Sequence, residues 1–184
     1  VKKPALILID IQKGFEDPYW GVRNNPEFEK NVSTLLHHWR KAGADIYHVQ
    51  HLSTEVHSPL RPELPGVELM EIVRPLKDEP VFQKNVNSAF IGTTLEATLR
   101  EHQHTHLVLV GLSTDHCVST SARMAANLGF RVTLVSDGTA TFNRKGSKGE
   151  NYPAELVHEV SLASLNNEFA QVLSTQDTLK ICPV

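Results

Sequence analysis

The feature that most constrains this sequence is a recurring pair of patterns: unbroken apolar runs of strand length, alternating with segments whose apolar residues recur at helical spacing. Ala5-Leu6-Ile7-Leu8-Ile9 and Leu107-Val108-Leu109-Val110 contain no polar position. A strand with one wet face alternates apolar and polar residues, so a run without alternation belongs to a strand covered on both sides. After the first run, Val32, Leu35, Leu36 and Trp39 recur at i, i+3, i+4 and i+7, and Gly43 follows as a helix stop before a strand over 45–50. The remainder continues in kind. A short strand is expected over 81–84, then a helix marked by Ile91, Leu95 and Leu99 with Thr93 or Thr94 near its start. The 107–110 run leads into a helix with Val118, Ala122, Ala125, Ala126 and Gly129 on one face. A strand over 131–136, a helix marked by Leu156, Val160 and Ala163, and a last strand near 170–174 complete the series. Such alternation predicts an α/β fold: a mostly parallel sheet, helices on both faces, joined by right-handed crossovers. The proline-bearing stretch 58–80 is excluded from regular helix and central strand. The polar stretch 143–151, with Arg144, Lys145, Gly146, Lys148 and Gly149, reads either as a lid or as a plain solvent loop. No repeat or composition break divides the chain, so one domain over 1–184 is expected.

In an open parallel sheet, sites form beyond the carboxyl ends of the strands. Three reactive residues fall there: Asp10 after the first strand, Lys84 after the third and Cys117 after the fourth. Cys117 starts a helix, with Thr114 or Asp115 available as N-cap, and free amides with the helix dipole favour thiolate. A buried, inert cysteine is equally compatible with that position. Asp10 closes a run of five apolar residues, where a carboxylate is costly unless it is paired or does chemistry; capping a turn is the plainer role. Lys84 is expected to pair with Asp10 and to lower the Cys117 pKa. His116 adjoins the nucleophile, but adjacent helical residues point about 100° apart, which leaves Asp10 the better base.

Other signals bound the function. Lys+Arg 18 against Asp+Glu 21, a net charge of −3, gives no support to a nucleic-acid partner. No apolar run reaches the roughly 18 residues of a membrane span, and no phosphate-cradling glycine motif is present. Two cysteines make no disulfide framework, so a reducing cytoplasm is expected, with Cys182 a bystander on a frayed tail. His102, His104 and His106 straddle a helix end and a strand start and read as solvated surface. Phe15, Tyr19, Trp20, Phe90 and Phe142 lie in loops after strand ends, where an apolar substrate pocket would form; each is also compatible with packing its loop down.

Together, Ile7-Leu8-Ile9-Asp10-Ile11-Gln12-x-x-Phe15, Lys84-x-x-x-Ser88-Ala89-Phe90 and Gly111-Leu112-Ser113-Thr114-Asp115-His116-Cys117-Val118 resemble the isochorismatase-like cysteine hydrolases. Thr120-x-x-Arg123-x-Ala125-x-x-x-Gly129 and Val135-x-Asp137 fit the same pattern, and the resemblance runs from Ala5 to about Ser174. It implies a three-layer α/β/α, Rossmann-like fold with about six strands, an Asp10, Lys84, Cys117 triad, and a cis peptide at Leu112–Ser113. It further implies an oxyanion hole made by the Ser113 and Cys117 amides. The activity implied is cleavage of an amide-type C–N bond of a small molecule through a thioester. The vinyl-ether cleavage of isochorismatases and a non-catalytic binding scaffold are the alternatives. Nicotinamidases of this family carry an Asp-x-His…His metal site after the second strand. Here His51 stands where their aspartate would be and Ser53 where a histidine would be, so no metal and no cofactor is expected; His51 reads instead as a pocket wall or substrate contact. The resemblance also implies a homo-oligomer, dimer or tetramer.

Overall fold

The structure, a computed structural model, describes residues 2–184. Its frame is a six-stranded sheet of β1 (Ala5–Ile9), β2 (Ile46–His51), β3 (Val81–Lys84), β4 (His106–Leu112), β5 (Arg131–Ala140) and a last strand, Gln171–Leu173. The spatial order is β3-β2-β1-β4-β5 and then Gln171–Leu173, and every adjacent pair is parallel. The chain lays down β2 and β3 on one side of β1, then returns to place β4 on the other. That reversal opens a crevice at the carboxyl ends of β1 and β4, the place where doubly wound sheets bind ligands.

Helices cover both faces because odd and even positions of the central strands are equally apolar. Leu6 and Leu8 of β1 pack with Val32, Leu35, Leu36 and Trp39 of α1 (Phe28–Ala42). Ile7 and Ile9 face the other way, toward Leu95 and Leu99 of α2 (Leu95–Glu101) and Val118, Ala122 and Ala125 in and before α3 (Ser119–Asn127). Gly43 ends α1 at φ 62°, in the left-handed region that a glycine reaches without Cβ penalty. Two short strands, β6 (Arg144–Lys145) and β7 (Asn151–Tyr152), form an antiparallel hairpin outside the sheet. α4 (Ala154–Leu165), the last sheet strand β8 (Gln171–Leu173) and α5 (Thr175–Leu179) follow. Among the described residues no helix is long and apolar enough to cross a membrane.

Four local expectations are corrected. Ile91 lies outside α2 and is exposed, because the chain from 88 to 94 makes turns instead of helix. In α4 the inward residues are Ala154, His158, Leu162 and Leu165, leaving Leu156 and Val160 exposed. The helix is rotated so that the His158 ring meets the Thr114 hydroxyl at 2.9 Å. Cys182 is fully buried against the α1 side of the sheet, its carbonyl 2.6 Å from His38 Nε2, so the tail is docked. His104 and His106 are buried as well: His104 Nε2 lies 2.8 Å from Asp45 Oδ2, and His106 takes Arg131 at 2.6 Å and Thr133 at 2.9 Å. Of that trio only His102 is exposed.

Candidate active site

The crevice at the β1–β4 reversal is built from strand ends. Asp10 follows β1 with φ 52°, a left-handed conformation uncommon for a residue other than glycine. Its amide still donates to the Val49 carbonyl at 3.0 Å, so the turn begins while the strand is held. Beside it Gly111 of β4 lies at φ 134°, and a Cβ there would sit 2.0 Å from the Ile9 carbonyl oxygen. Only glycine lets β4 approach β1 this closely next to Asp10. Gln12, fully buried, fastens the end of β2: its Nε2 donates to the carbonyls of His51 and Val67, and its Oε1 accepts the His51 amide.

Lys84 closes β3, on the same face of that strand as buried Phe82. Pairing of His51 with Lys84 across β2–β3 carries its side chain toward β1. Its Nζ lies 2.6 Å from Asp10 Oδ2, 3.0 Å from His51 Nδ1 and 3.4 Å from Cys117 Sγ. Asp10 and Lys84 side chains are fully buried. Asp10 Oδ1 has no hydrogen-bond partner, which leaves one carboxylate oxygen open as an acceptor. Cys117 stands in a π-helical turn, Thr114–Val118, preceded by the cis Leu112–Ser113 peptide. Neither Thr114 nor Asp115 caps this turn: Thr114 bonds His158, and Asp115 bonds Arg144. The Ser113 carbonyl instead accepts the amides of His116 and Val118 at 3.1 and 3.2 Å. Among the described residues no turn, loop or side-chain acceptor takes up the Ser113 amide, which lies between the end of β4 and that turn.

The electrostatics differ from expectation in one respect. Burial pushes the Cys117 thiol up to about 12, the Asp10 carboxylate adds to this, and Lys84 pulls the other way without prevailing. Lys84 was expected to lower the thiol pKa overall; enclosure outweighs it. Burial also raises Asp10 above the ordinary carboxylate range, against the attraction of Lys84. His51 falls to about 4 through burial and the adjacent Lys84 ammonium, so its ring is neutral and accepts from Lys84 at Nδ1.

A cleft of about 300 Å³ opens onto this group, lined by Phe15, Tyr19, Trp20, His51, Glu55, Asn87 and Cys117 among others. The structure thus brings Phe15, Trp20 and His51 to the cleft. Phe142 and Phe90 do not line it. Phe142 is buried behind the wall, 5.9 Å from Phe15 and 5.8 Å from Trp20 ring to ring, and Phe90 packs on Phe130 at 6.3 Å. A loop aromatic after a strand end reads the same in sequence whether it faces a cleft or supports one. Two further residues of the site are not marked by any sequence motif as belonging to it. Asn87 Nδ2 lies 3.6 Å from Cys117 Sγ. Arg144 clasps Asp115 with Nε at 2.6 Å and Nη2 at 3.0 Å, and reaches Ser113 Oγ at 3.2 Å. The stretch 143–151 is therefore part of a hairpin whose first strand Arg144 ties to the nucleophile turn.

Asp10, His51 and Cys117 place potential metal-ligand atoms within 4.8 Å of one another. The Lys84 ammonium lies between them, in contact with all three, and a metal ion would have to displace it. Ser53, whose hydroxyl accepts the Glu55 amide, adds no strong ligand.

Comparison with known proteins identifies the family. The family described as "Isochorismatase domain" matches residues 4–177. YrdC, an isochorismatase family protein of Bacillus subtilis, is 44% identical over 178 residues, covering 97% of this chain and 95% of its own. Nicotinamidase 3 of Arabidopsis thaliana is 30% identical, with 94% of this chain and 85% of its own covered. A crystal structure of an isochorismatase-family protein from Chromobacterium violaceum superposes with a TM-score of 0.93 at 43% identity, covering 98% of this chain and 93% of that one. The chain belongs to the isochorismatase family of hydrolases.

Proposed function

We propose that this protein hydrolyses an amide-type C–N bond of a small molecule, with Cys117 as nucleophile, Asp10 as general base and acid, and Lys84 as the positioning cation. The observation that carries the reading is the contact of one buried ammonium with both Asp10 and Cys117, beneath a cleft open to a small substrate. Nicotinamidase 3, whose name is that of an amidase, supports the bond type.

Enclosure keeps Cys117 a neutral thiol at rest, so attack and proton transfer go together. Sγ adds to the substrate carbonyl carbon while its proton passes to the Asp10 carboxylate, whose raised pKa suits it to hold that proton. The carbonyl oxygen becomes an oxyanion received by the amides of Ser113 and Cys117; one such donor is worth on the order of 3 kcal/mol. Collapse breaks the C–N bond, and Asp10 returns the proton to the departing amine. Water then gives a proton to Asp10 and adds to the thioester. Acid is released, and Cys117 leaves with the proton back on sulfur. Lys84 opposes the effect of burial on Asp10 and so favours its carboxylate form. The two free cysteines suit a reducing compartment such as the cytoplasm.

The test is ammonia release from a panel of primary amides, with rapid-quench mass spectrometry of the Cys117 peptide. An acyl adduct on Cys117 is expected in the wild type, and Cys117→Ala is expected to abolish turnover. Wild-type ammonia release by Cys117→Ala would sink the proposal.

A further inference from the structure

We propose that the cleft selects amides carrying a positive charge beside a flat apolar portion, and rejects those carrying a carboxylate. This rests on the hydrolase reading for the word amide; the charge preference itself follows from the cleft walls. Among the described residues no lysine or arginine lines the cleft. Lys84 lies beneath it and is taken by Asp10, His51 and Cys117. Arg144 is closed on Asp115, and Lys13, in the adjoining hollow, is closed on Glu68. Of the histidines that do line it, His51 is held neutral by burial and by the adjacent Lys84 ammonium, and the pKa of His116, whose ring is largely exposed, is shifted down as well. A substrate carboxylate would lose hydration on entry and meet no counter-cation.

The walls instead suit a cation. Glu55 lines the cleft and is exposed, with no ion-pair partner among the described residues. Phe15, Tyr19 and Trp20 form a connected aromatic wall: Trp20 lies 4.9 Å from Phe15 and 5.0 Å from Tyr19, ring to ring. The indole N–H is spent on the Gly14 carbonyl at 2.8 Å, which fixes the ring in the cleft wall. Aromatic faces attract ammonium-type cations and accept flat apolar groups.

The experiment modifies Cys117 in the intact protein with two matched methanethiosulfonates, one bearing trimethylammonium and one bearing sulfonate. Rates are followed by mass spectrometry and divided by those of a small free thiol. The cationic reagent is expected to be favoured by about tenfold after this correction. Glu55→Gln should bring the ratio to within about threefold of unity, and Glu55→Lys should invert it. A corrected ratio at or below unity in the wild type, or one that ignores both substitutions, overturns the proposal. The readout needs no turnover: a chain that holds the ratio yet hydrolyses no amide would fail the hydrolase reading while keeping the charge selectivity.

Discussion

Two backbone positions set the distance between base and nucleophile. Asp10 turns out of β1 at φ 52°, and Gly111 lets β4 close on β1 beside it. Gly111→Ala places a Cβ 2.0 Å from the Ile9 carbonyl oxygen, in backbone rather than a yielding side chain. We expect it to cost about 3 kcal/mol or more in urea unfolding, or to prevent folding; a loss under about 1 kcal/mol would refute the close-approach argument. The second expectation is a pH dependence. Burial raises Asp10 and Lys84 opposes it, so the acid limb of kcat/KM should have its midpoint above the ordinary aspartate value of 3.8. Lys84→Met removes the opposing charge and leaves the burial, so the limb should move further up as overall activity falls. A limb at or below 3.8, or one unmoved by the substitution, would contradict the assignment of Asp10 as base. At this scale the sequence was informative where chemistry conflicts with environment: a carboxylate ending an apolar strand, a lysine at a strand end. It was silent where both outcomes look alike, as for Phe90 and Phe142, which support walls they do not line. It misled on the thiol pKa, because depth of burial is a property of the assembled fold.

Between elements, the hairpin β6–β7 holds the turn that presents Cys117. Arg144 engages both Asp115 carboxylate oxygens, in the segment between Ser113 and Cys117, whose amides are the proposed oxyanion donors. Loss of that clasp should leave binding in place and loosen the amides. A misplacement of about 1 Å in such groups costs about 100-fold in rate. We expect Arg144→Met to lower kcat by ten- to a hundredfold, with KM changed far less. The exposed neighbour Lys145→Ala should behave as wild type. Unchanged kcat in Arg144→Met would reduce the clasp to a surface ion pair. Two-residue strands are too short to show a period, which is why the hairpin read as a loop. α4 was found but its inward face was not, because it is apolar on several sides and a buried histidine decides the rotation. The long apolar strands came through with their boundaries within a residue or two, and α1 ends at Gly43 as its pattern requires, while its start at Phe28 lies ahead of the first marked position, Val32.

For the molecule as a whole, the parallel sheet was legible in outline though its strand order was not, since β-α alternation forces parallel strands and parallel strands place sites at their carboxyl ends. The fastening across the sheet's far side was not. Glu79, in the β2–β3 connection, accepts Arg40 of α1 at 2.7 and 2.8 Å, the Leu76 amide at 2.9 Å, and His48 of β2 at 3.1 Å. Burial pushes Glu79 upward, but the bonds from Arg40, Leu76 and His48 prevail and hold it at about 2, against an ordinary 4.5. A carboxyl depressed by folding stabilises the fold fully above its unfolded pKa and loses that contribution as pH falls through the folded value. The window is therefore from about 4.5 down to about 2. Asp10 acts in the opposite sense, its raised pKa favouring the protonated fold, but it is common to wild type and variant and cancels in their difference. Glu79→Gln keeps the shape and removes the charge. At pH 7 it should be less stable in urea by on the order of 1–2 kcal/mol once solvent screening is allowed for. That difference should shrink steadily below pH 4.5 and approach zero near pH 2. A gap that stays constant from pH 7 to pH 3 would mean that Glu79 acts through shape and hydrogen-bond count alone, and that charge plays no part in joining α1 to the sheet's edge.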